Sequence, residues 1–540
     1  MLILHQRKRL SQLLTLLMVV AISVGLLAGC GGGGSGSGGN GDNGGSGDQV
    51  WTPPYALPIA GDNETMMQTF YWEMKSNGDH WTTLKNKADF LARIGITSLW
   101  IPPASKAWGG IGGSSTSSVG YDVYDLWDLG QYNQMRTVRT KYGTKDQLIA
   151  AVKELHNKGI KVYFDAVLNH RTGADEWEYV QSRGKTIGAW TKFTFPGRTS
   201  NPDGTKKVIW DKNFFNAVDY DQLTSSNGIF LFDNKSWDTT LDDDYIMGAD
   251  VDYNDNEWAK NDVTNWGRWI LTDIGNGVGF DGFRLDAAKH IDMDFTSYWI
   301  SQMISAKPDA FFVAEILDGS ITKIRNYLNK VNQSQLHVFD FPLYYAFKER
   351  FSSTNIGDTL DSTKVGTAEG LVNDATYGDR AVMFADNHDT NRDGQDPGMV
   401  NYKYQAYTYM LMRDKGIPCV FWKDFYTFGM GDKLQRLLVA RKHFAYGPGI
   451  EVEENEKNNV YIYIRDGSET DTEGDGLVML IAKAGSGIYE QEIDSKQPNM
   501  TFYDITGNIT EEVTTNSEGK GVFKVKRSEA EGWSVWVPKL

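Results

Sequence analysis

The chain has 540 residues, of which 40 % are hydrophobic and 23 % charged, so it has the composition and length of a globular protein with two to four folding units. Its formal net charge is −16, and a surface this acidic repels phosphate backbones. The composition therefore excludes nucleic acid as a partner, but it is compatible with a neutral substrate and with bound cations. The two cysteines, Cys30 and Cys419, form neither a disulfide framework nor a zinc pattern.

The N-terminal segment has the pattern of an export signal. Residues 7–9 are basic, and the almost wholly apolar run 13–27 is short for a membrane span. The following Leu27-Ala-Gly-Cys30 resembles a bacterial lipobox, which implies a signal peptide over residues 1–29 and a lipid on Cys30. Residues 30–50 form a Gly/Ser-rich tether. We expect a protein of the cell envelope or surface, outside the cytoplasm, that contacts the membrane only through this anchor or is released.

Strand-like and helix-like runs alternate from Thr65 onward. The predicted strands are Met66–Tyr71, Thr97–Ile101, Lys161–Leu168, Phe280–Asp286, Phe311–Ile316, His337–Phe341, Ala381–Ala385 and Pro418–Trp422. The helices between them include Lys145–Lys158, which ends at Gly159, and Asn256–Ile274, with an apolar stripe of Trp258, Val263, Trp266, Trp269 and Ile270. Eight strand–helix repeats predict a closed parallel (β/α)8 barrel of the α/β class.

Two regions break this alternation. About ninety residues rich in Asp, Asn, Gly and Trp follow the third strand, and a segment of this length indicates an inserted subdomain. After about Ala445, short alternating strands predict an antiparallel β-sandwich. The predicted organisation is therefore barrel over 51–170, inserted domain over 171–253, barrel over 254–445 and sandwich over 446–540.

Acidic side chains follow several predicted strands, at the barrel end where catalytic groups lie. Cleavage of a glycosidic bond needs one acid that protonates the leaving oxygen and one carboxylate at the anomeric carbon. Asp286 and Glu315 are candidates for these two roles. Arg284 points to the same side of its strand as Asp286, and its charge should keep that carboxyl ionised.

These segments resemble the signature regions of the α-amylase family of glycoside hydrolases (family 13). The matching stretches are Asp165–His170, Gly279–His290, Phe311–Glu315 and Phe384–Asp389. Further stretches, Val119–Asp122, Thr137–Thr144, Asp244–Tyr253 and Asp504–Asn508, resemble the liquefying bacterial members. The resemblance covers about residues 65–540, and it implies an endo-acting enzyme that hydrolyses internal α-1,4 bonds of starch, glycogen and maltooligosaccharides with retention of configuration.

The resemblance also implies roles for individual residues. Asp286 is the nucleophile, Glu315 is the acid and then the base, and Asp389 holds the 2- and 3-hydroxyls of the distorted sugar. Six further residues would bind or orient the substrate: Tyr121, His170, Arg284, Lys289, His290 and His388. The partner is an α-glucan, and we expect a monomer.

A bound Ca²⁺ is a further expectation. Asp244, Asp250 and Asp252 cluster at the end of the inserted segment, and oxygen ligands suit this ion. The resemblance implies that one Ca²⁺ joins insert and barrel through Asn169, Asp244, Asp250 and the backbone carbonyl of His290. A solvated acidic loop is the alternative.

Three alternatives to the endo-acting enzyme were weighed. An enzyme that releases one fixed maltooligosaccharide, or a glucanotransferase, could use the same barrel and the same carboxyls. A glycan-binding surface lipoprotein with an inactive barrel would lack at least one of Asp286, Glu315 and Asp389, and all three are present.

Overall fold

The eight predicted strands form a closed parallel barrel in the computed structural model, in which each strand pairs with its neighbours in the chain and the first pairs with the eighth. The structure describes residues 49–238, 246–351, 360, 369–453, 460–468 and 474–540. The barrel strands are Met66–Gln68, Ser98–Trp100, Lys161–Ala166, Gly282–Leu285, Phe311–Ala314, Leu336–Phe339, Ala381–Phe384 and Ile417–Phe421. Each predicted strand is confirmed, with ends that differ from the prediction by up to three residues.

The fourth barrel strand brings charged side chains into register with its neighbours. Arg284 lies opposite Asp165 of the third strand and Val313 of the fifth. At the start of this strand a Cβ on Gly282 would lie 2.0 Å from the backbone oxygen of Phe311. The close approach of the fourth and fifth strands therefore requires glycine at this position.

Amphipathic helices surround the barrel. They span His80–Ile94, Lys145–Asn157, Glu257–Thr272, Met293–Ala306, Ile321–Val331, Phe341–Arg350, Lys403–Met412 and Gly431–Phe444. A capping box of Thr144 and Gln147 begins the second helix, and Gly159 follows its end with φ of 75°. The predicted stripe of the third helix is correct except for Trp258, which is 71 % exposed. Trp258 is the second residue of the helix and lies at about the same angle as the buried Trp269, so its position in the first turn, rather than its helical phase, leaves it outside the core.

The inserted segment folds mainly as antiparallel strands above the carboxyl end of the third barrel strand. It contains a four-stranded sheet of Ser226–Leu231, Phe215–Asp221, Ala249–Val251 and His170–Arg171, and a hairpin of Glu176–Ser182 and Lys185–Lys192. Arg198 forms a buried ion pair with Asp125, with 2.7 Å between Nε and Oδ2. This contact joins the insert to Val123–Asp125, a short strand that pairs with Lys106–Ala107.

The C-terminal region is a two-layer β-structure. Its larger sheet contains, in spatial order, Gly449–Val452, Val460–Arg465, Leu477–Ala482, Trp533–Pro538, Thr501–Asp504 and Val513–Thr514, and the smaller one Ile488–Asp494 and Lys520–Lys526. Both faces of the larger sheet are buried. Ile462 and Val478 pack toward the smaller sheet, whereas Tyr461 and Met479 pack into the core shared with the barrel. The sandwich is therefore continuous with the barrel core.

Residues 48–540 form one compact unit. None of the helices that the structure describes is both long enough and apolar enough to cross a bilayer. The predicted signal peptide, Cys30 and the tether as far as residue 48 lie outside the described residues.

Candidate active site

Three carboxyl groups converge on one guanidinium at the carboxyl end of the barrel. Arg284 Nη1 lies 2.8 Å from Asp165 Oδ1 and 2.5 Å from Asp286 Oδ1. Its Nη2 lies 2.9 Å from Glu315 Oε2. The arginine is 1 % exposed, so these are buried ionic contacts. Arg284 therefore contacts both members of the predicted pair, Asp286 and Glu315.

The local backbone fixes the orientation of Glu315. The residue follows the fifth strand directly, and its N–H donates to the carbonyl of Leu285. Ala287, which has φ of 47°, donates its N–H to Glu315 Oε2 at 2.9 Å. One carboxyl oxygen of Glu315 therefore accepts from a backbone N–H and an arginine, and Glu315 keeps only 8 % of its surface exposed.

Asp389 lies in the loop that follows the seventh strand, and two aromatic side chains contact its carboxyl. Trp72 Nε1 donates to its Oδ1 at 3.3 Å, and His388 Nε2 lies 3.3 Å from its Oδ2. The other ring nitrogen of His388 faces the amide nitrogen of Gln68 at 3.0 Å. Because that amide donates, His388 accepts at Nδ1 and donates from Nε2 toward Asp389.

Tyr121 forms one wall of the site. Its hydroxyl donates to Asp165 Oδ2 at 2.8 Å, and its ring stacks on that of His388 with 5.1 Å between centroids and 12° between planes. The guanidinium of Arg284 lies 5.6 Å from the ring centroid of Tyr121. Tyr121 is therefore held rigidly between the arginine cluster and the loop that carries Asp389.

His170 lies beside Tyr121, and its predicted hydrogen bond to the sugar stays a prediction. Its Nε2 lies 2.8 Å from the backbone oxygen of Tyr121, and its Nδ1 is buried with no hydrogen-bond partner among the described residues. Since a carbonyl only accepts, Nε2 carries the proton. The histidine is 2 % exposed, so in this structure it holds the Tyr121 backbone and presents neither nitrogen to open solvent.

Lys289 and His290 lie in a short 3-10 helix, Ala288–His290, that directly follows the loop bearing Asp286. The Lys289 ammonium donates to the carbonyl of Leu317 at 3.2 Å. Leu317 is two residues after Glu315 and is 42 % exposed. Lys289 therefore lies beside the segment that follows Glu315, and the predicted contact of Lys289 and His290 with the sugar stays a prediction.

Burial dominates the electrostatics of the site. The pKa of Asp286 lies well above its ordinary value because the carboxyl is desolvated, and the charge of Arg284 opposes this shift only in part. In the substrate-free site the charge of Arg284 and the desolvation of Asp286 act in opposite directions, and the expectation that Arg284 keeps this carboxyl ionised stays a prediction. Burial likewise raises the pKa of Asp165 and of Asp389. Desolvation of these carboxyls and the charge of Arg284 therefore act in opposite directions on one buried cluster.

The two buried histidines are neutral. Burial lowers the pKa of His170 to about 4, and burial together with the charge of Arg284 lowers the pKa of His388 well below its ordinary value. Both rings therefore act as neutral hydrogen-bonding groups with a fixed proton position at neutral pH.

Comparison with known proteins agrees with this geometry. The α-amylase catalytic-domain family matches residues 61–426, and the α-amylase C-terminal family matches residues 477–537. The chain belongs to the α-amylase family. It is therefore a glycoside hydrolase, an endo-acting α-amylase.

Several members of this family resemble the chain over most of its length. The chain is 37 % identical to an α-amylase of Geobacillus stearothermophilus, over 88 % of this chain and 87 % of that one. It is 36 % identical to an α-amylase of Bacillus licheniformis, over 88 % and 94 %. It is 37 % identical to a glucan 1,4-α-maltohexaosidase of Bacillus sp. (strain 707), over 89 % and 93 %. A crystal structure of an Anoxybacillus α-amylase shares the fold, with a TM-score of 0.59, 16 % identity and coverage of 88 % and 98 %.

Four residues that contact this α-amylase site have no role in the sequence-based prediction. They are Asp165, Gln68, Trp72 and Trp100, whose indole N–H donates to Asp165 at 2.9 Å. Asp165 carries a detectable signal, because an acid inside an apolar barrel strand requires a cation on the neighbouring strand. Trp72 carries none, because the segment after the first strand has no periodicity that fixes its direction.

The residues expected to bind calcium in this family are only partly described. Asp250 pairs with His170 across two strands, and the N–H of Val251 donates to the carbonyl of Asn169, so Asn169 and Asp250 lie close together. Asp244 lies outside the described residues. Asp252 instead pairs with Lys235 and accepts from backbone N–H groups of a turn. Among the described residues no group of three or more His, Cys, Asp or Glu side chains could hold a metal ion.

Proposed function

We propose that the enzyme cuts internal α-1,4 bonds by a double displacement in which Asp286 is the nucleophile and Glu315 the acid and base. The observation that carries this proposal is the single guanidinium of Arg284, which contacts both carboxyls at 2.5 and 2.9 Å. Carboxyls that share one side chain favour the short separation of retaining enzymes, whereas inverting enzymes need room for a water between them.

In the first step Glu315 gives a proton to the glycosidic oxygen while the bond from that oxygen to the anomeric carbon breaks. An oxygen of Asp286 bonds to the same carbon from the opposite face, and the released sugar leaves with the proton. Burial raises the pKa values of Asp286 and Asp165, which favours retention of a proton within this cluster. Substrate binding places this proton on Glu315, while Arg284 stabilises the charge of Asp286.

In the second step Glu315, now ionised, takes a proton from water as the water oxygen attacks the anomeric carbon. The bond to Asp286 breaks, and Asp286 leaves as a carboxylate beside Arg284. Two inversions at one carbon retain its configuration.

Asp389 is proposed to accept hydrogen bonds from the 2- and 3-hydroxyls of the sugar that becomes distorted in the transition state. Its carboxyl is held by Trp72 and His388, so its direction is set before substrate arrives. The ring of Tyr121 is proposed to stack on the same sugar, and His170, whose Nε2 holds the backbone of Tyr121, is proposed to hydrogen-bond that sugar together with His388. Lys289 and His290 are proposed to contact the sugar on the leaving side.

Soluble starch tests these assignments. The full-length enzyme should destroy iodine colour early, when few reducing ends have formed, and Asp286→Asn should be slower by at least about 10⁴-fold. Asp340→Asn is the matched control, because Asp340 also follows a barrel strand and is buried but accepts only from backbone N–H groups. Slow iodine loss with one accumulating oligosaccharide would favour the fixed-product alternative, and sugar transfer without net hydrolysis would favour the transferase.

Calcium is proposed to join the inserted domain to the barrel. The donors present are oxygens, the type that Ca²⁺ prefers, and Asn169 and Asp250 are buried at 2 % and 1 % exposure. Tyr253 links the segment that carries His290 to the other two. Its hydroxyl donates to the carbonyl of Leu168, and its ring stacks on Phe295, which is five residues after His290. Asn169, Asp250, the His290 carbonyl and Asp244 would hold the ion. When bound, it supplies positive charge that offsets buried carboxylates.

We also propose that the enzyme is a lipid-anchored monomer outside the cytoplasm. Support comes from the apolar run 13–27, the lipobox-like Leu27-Ala-Gly-Cys30 and the Gly/Ser-rich tether. In bacterial cells that process lipoproteins, the wild type should partition into detergent and Cys30→Ser should remain aqueous. Equal partitioning of the two would refute the anchor, and light scattering checks the monomer.

A further inference from the structure

Three loops at the carboxyl end of the barrel meet at one buried ammonium. Lys423 lies just after the eighth strand and is 2 % exposed. Its Nζ lies 3.1 Å from Glu73 Oε2, 2.8 Å from Asp393 Oδ1 and 3.4 Å from the backbone oxygen of Asn391. An ammonium has three protons, and each one has an acceptor here. Glu73 follows the first strand and Asp393 the seventh, so this lysine links the loops after strands one, seven and eight.

The linked loops carry two side chains that end at Asp389. Trp72, next to Glu73, donates its indole N–H to Asp389 Oδ1. Arg392, next to Asp393, stacks its guanidinium on the Trp72 ring at 3.9 Å from the centroid. Glu73 also accepts from the backbone N–H of Asp393 at 2.9 Å. Trp72 is therefore held between Asp389 and Arg392, and the Lys423 contacts fix the backbone on both sides.

We propose that Lys423 is a positioning residue that, through Glu73 and Asp393, keeps Trp72 against Asp389. The proposal rests on the proposed function, because it assumes that Asp389 binds the distorted sugar. Without the ammonium, the carboxylates of Glu73 and Asp393 repel each other, and the loops after strands one and seven separate. Asp389 then loses the donor that directs one of its oxygens.

Loss of the Lys423 charge should raise the free energy of the transition state more than it weakens substrate binding. Displacement of a group by about 1 Å can cost about 10²-fold in rate. We expect Lys423→Met, which keeps the length of the side chain and removes its charge, to lower kcat by about 10- to 10²-fold and to change KM less. The substrate is a maltooligosaccharide with an activated aryl leaving group, so that slow variants remain measurable.

A double-mutant cycle with Asp389→Asn separates positioning from general damage. If Lys423 acts through Asp389, Lys423→Met lowers kcat in the wild type and hardly at all in Asp389→Asn. If the two losses multiply, the proposal is wrong. If Asp389→Asn alone leaves kcat unchanged, the proposed role of Asp389 fails instead, and the two failures are distinguishable.

Lys307→Met is the matched control. Lys307 also pairs with a carboxylate, Asp281, at 2.8 Å and donates to a backbone carbonyl at 2.7 Å, but it lies at the amino end of the strands. Its loss should lower the unfolding midpoint and leave kcat unchanged. If Lys423→Met does not fold, Glu73→Gln breaks the same link at a side chain that is 29 % exposed. Glu73→Gln should then lower kcat in the wild type and hardly at all in Asp389→Asn. If the two losses in kcat multiply, the proposal is wrong.

Discussion

Replacement of Arg284 by methionine should convert the catalytic cluster into three buried carboxyls without a cation. The guanidinium contacts Asp165, Asp286 and Glu315 at 2.5 to 2.9 Å and is 1 % exposed, so solvent does not screen the loss. Each carboxyl then binds its proton more tightly, because only desolvation and like charges act on it. The site should retain its shape but stay protonated to a higher pH.

The size of this shift follows from charge separation. Two unit charges about 4 Å apart interact by about 4 kcal/mol at an effective dielectric constant of about 20. One pKa unit corresponds to about 1.4 kcal/mol. Loss of the arginine can therefore raise the pKa of one carboxyl by at most about three units. Because three carboxyls share the arginine and protons rearrange among them, we expect the acid limb of kcat/KM to move up by one to two pH units (about 1.4 to 2.7 kcal/mol). At a pH below both acid limbs, this shift alone should lower kcat/KM by about 10- to 10²-fold.

The assay is the pH profile of kcat/KM on an aryl maltooligosaccharide for wild type, Arg284→Met and Arg284→Lys. Arg284→Lys keeps the charge but not the fork, so its acid limb should lie between the other two. Arg413→Met is the control, because Arg413 is a buried arginine paired with Glu451 at 2.9 Å in a contact remote from the catalytic carboxyls. It should lose stability without a shift in the profile. An unchanged acid limb in Arg284→Met would refute the electrostatic role.

Three further outcomes are expected. Chelation with EDTA should lower the unfolding temperature of the wild type, and Asp250→Asn should lose most of this sensitivity; equal sensitivity would exclude Asp250 as a ligand. Asp262 accepts from the indole N–H groups of Trp127 and Trp210, and burial raises its pKa to about 6. Because the folded pKa is the higher one, this contribution is present below about pH 4 and is lost as pH rises through 6. Urea unfolding should therefore show the wild type losing about 3 kcal/mol relative to Asp262→Asn between pH 4 and 7, and a constant difference would contradict this assignment. Gly282→Ala should destabilise the barrel by about 3 kcal/mol or more, since its Cβ would lie 2.0 Å from a backbone oxygen; a wild-type unfolding midpoint would contradict it.

The barrel was predictable because its signals are local. Each strand is a short apolar run followed by an amphipathic helix, and the catalytic acids follow the strands directly in the chain. The C-terminal strand Ile488–Asp494 has a weaker sequence signal, although Tyr489, Gln491 and Ile493 alternate with less buried residues. Polar and charged residues make up much of this strand, which weakens the hydrophobic pattern.

The parts of the site that sequence missed depend on contacts between distant segments. Trp72 and Asp389 are 317 residues apart, and Lys423 and Glu73 are 350 apart. No periodicity in either segment specifies such a pair. Sequence also does not show that His170 holds the backbone oxygen of Tyr121, because this contact joins residues 49 positions apart, and the predicted contact of His170 with the sugar stays a prediction.

Covalent trapping tests the central assignment most directly. A maltooligosaccharide analogue with a fluorinated ring and a good leaving group slows the second step, so the glycosyl-enzyme accumulates and can be digested and mapped by mass spectrometry. We predict one sugar adduct per chain on the peptide that contains Asp286, with none in Asp286→Asn. An adduct on another carboxylate, or rapid turnover with inversion and no adduct, would contradict the proposed mechanism.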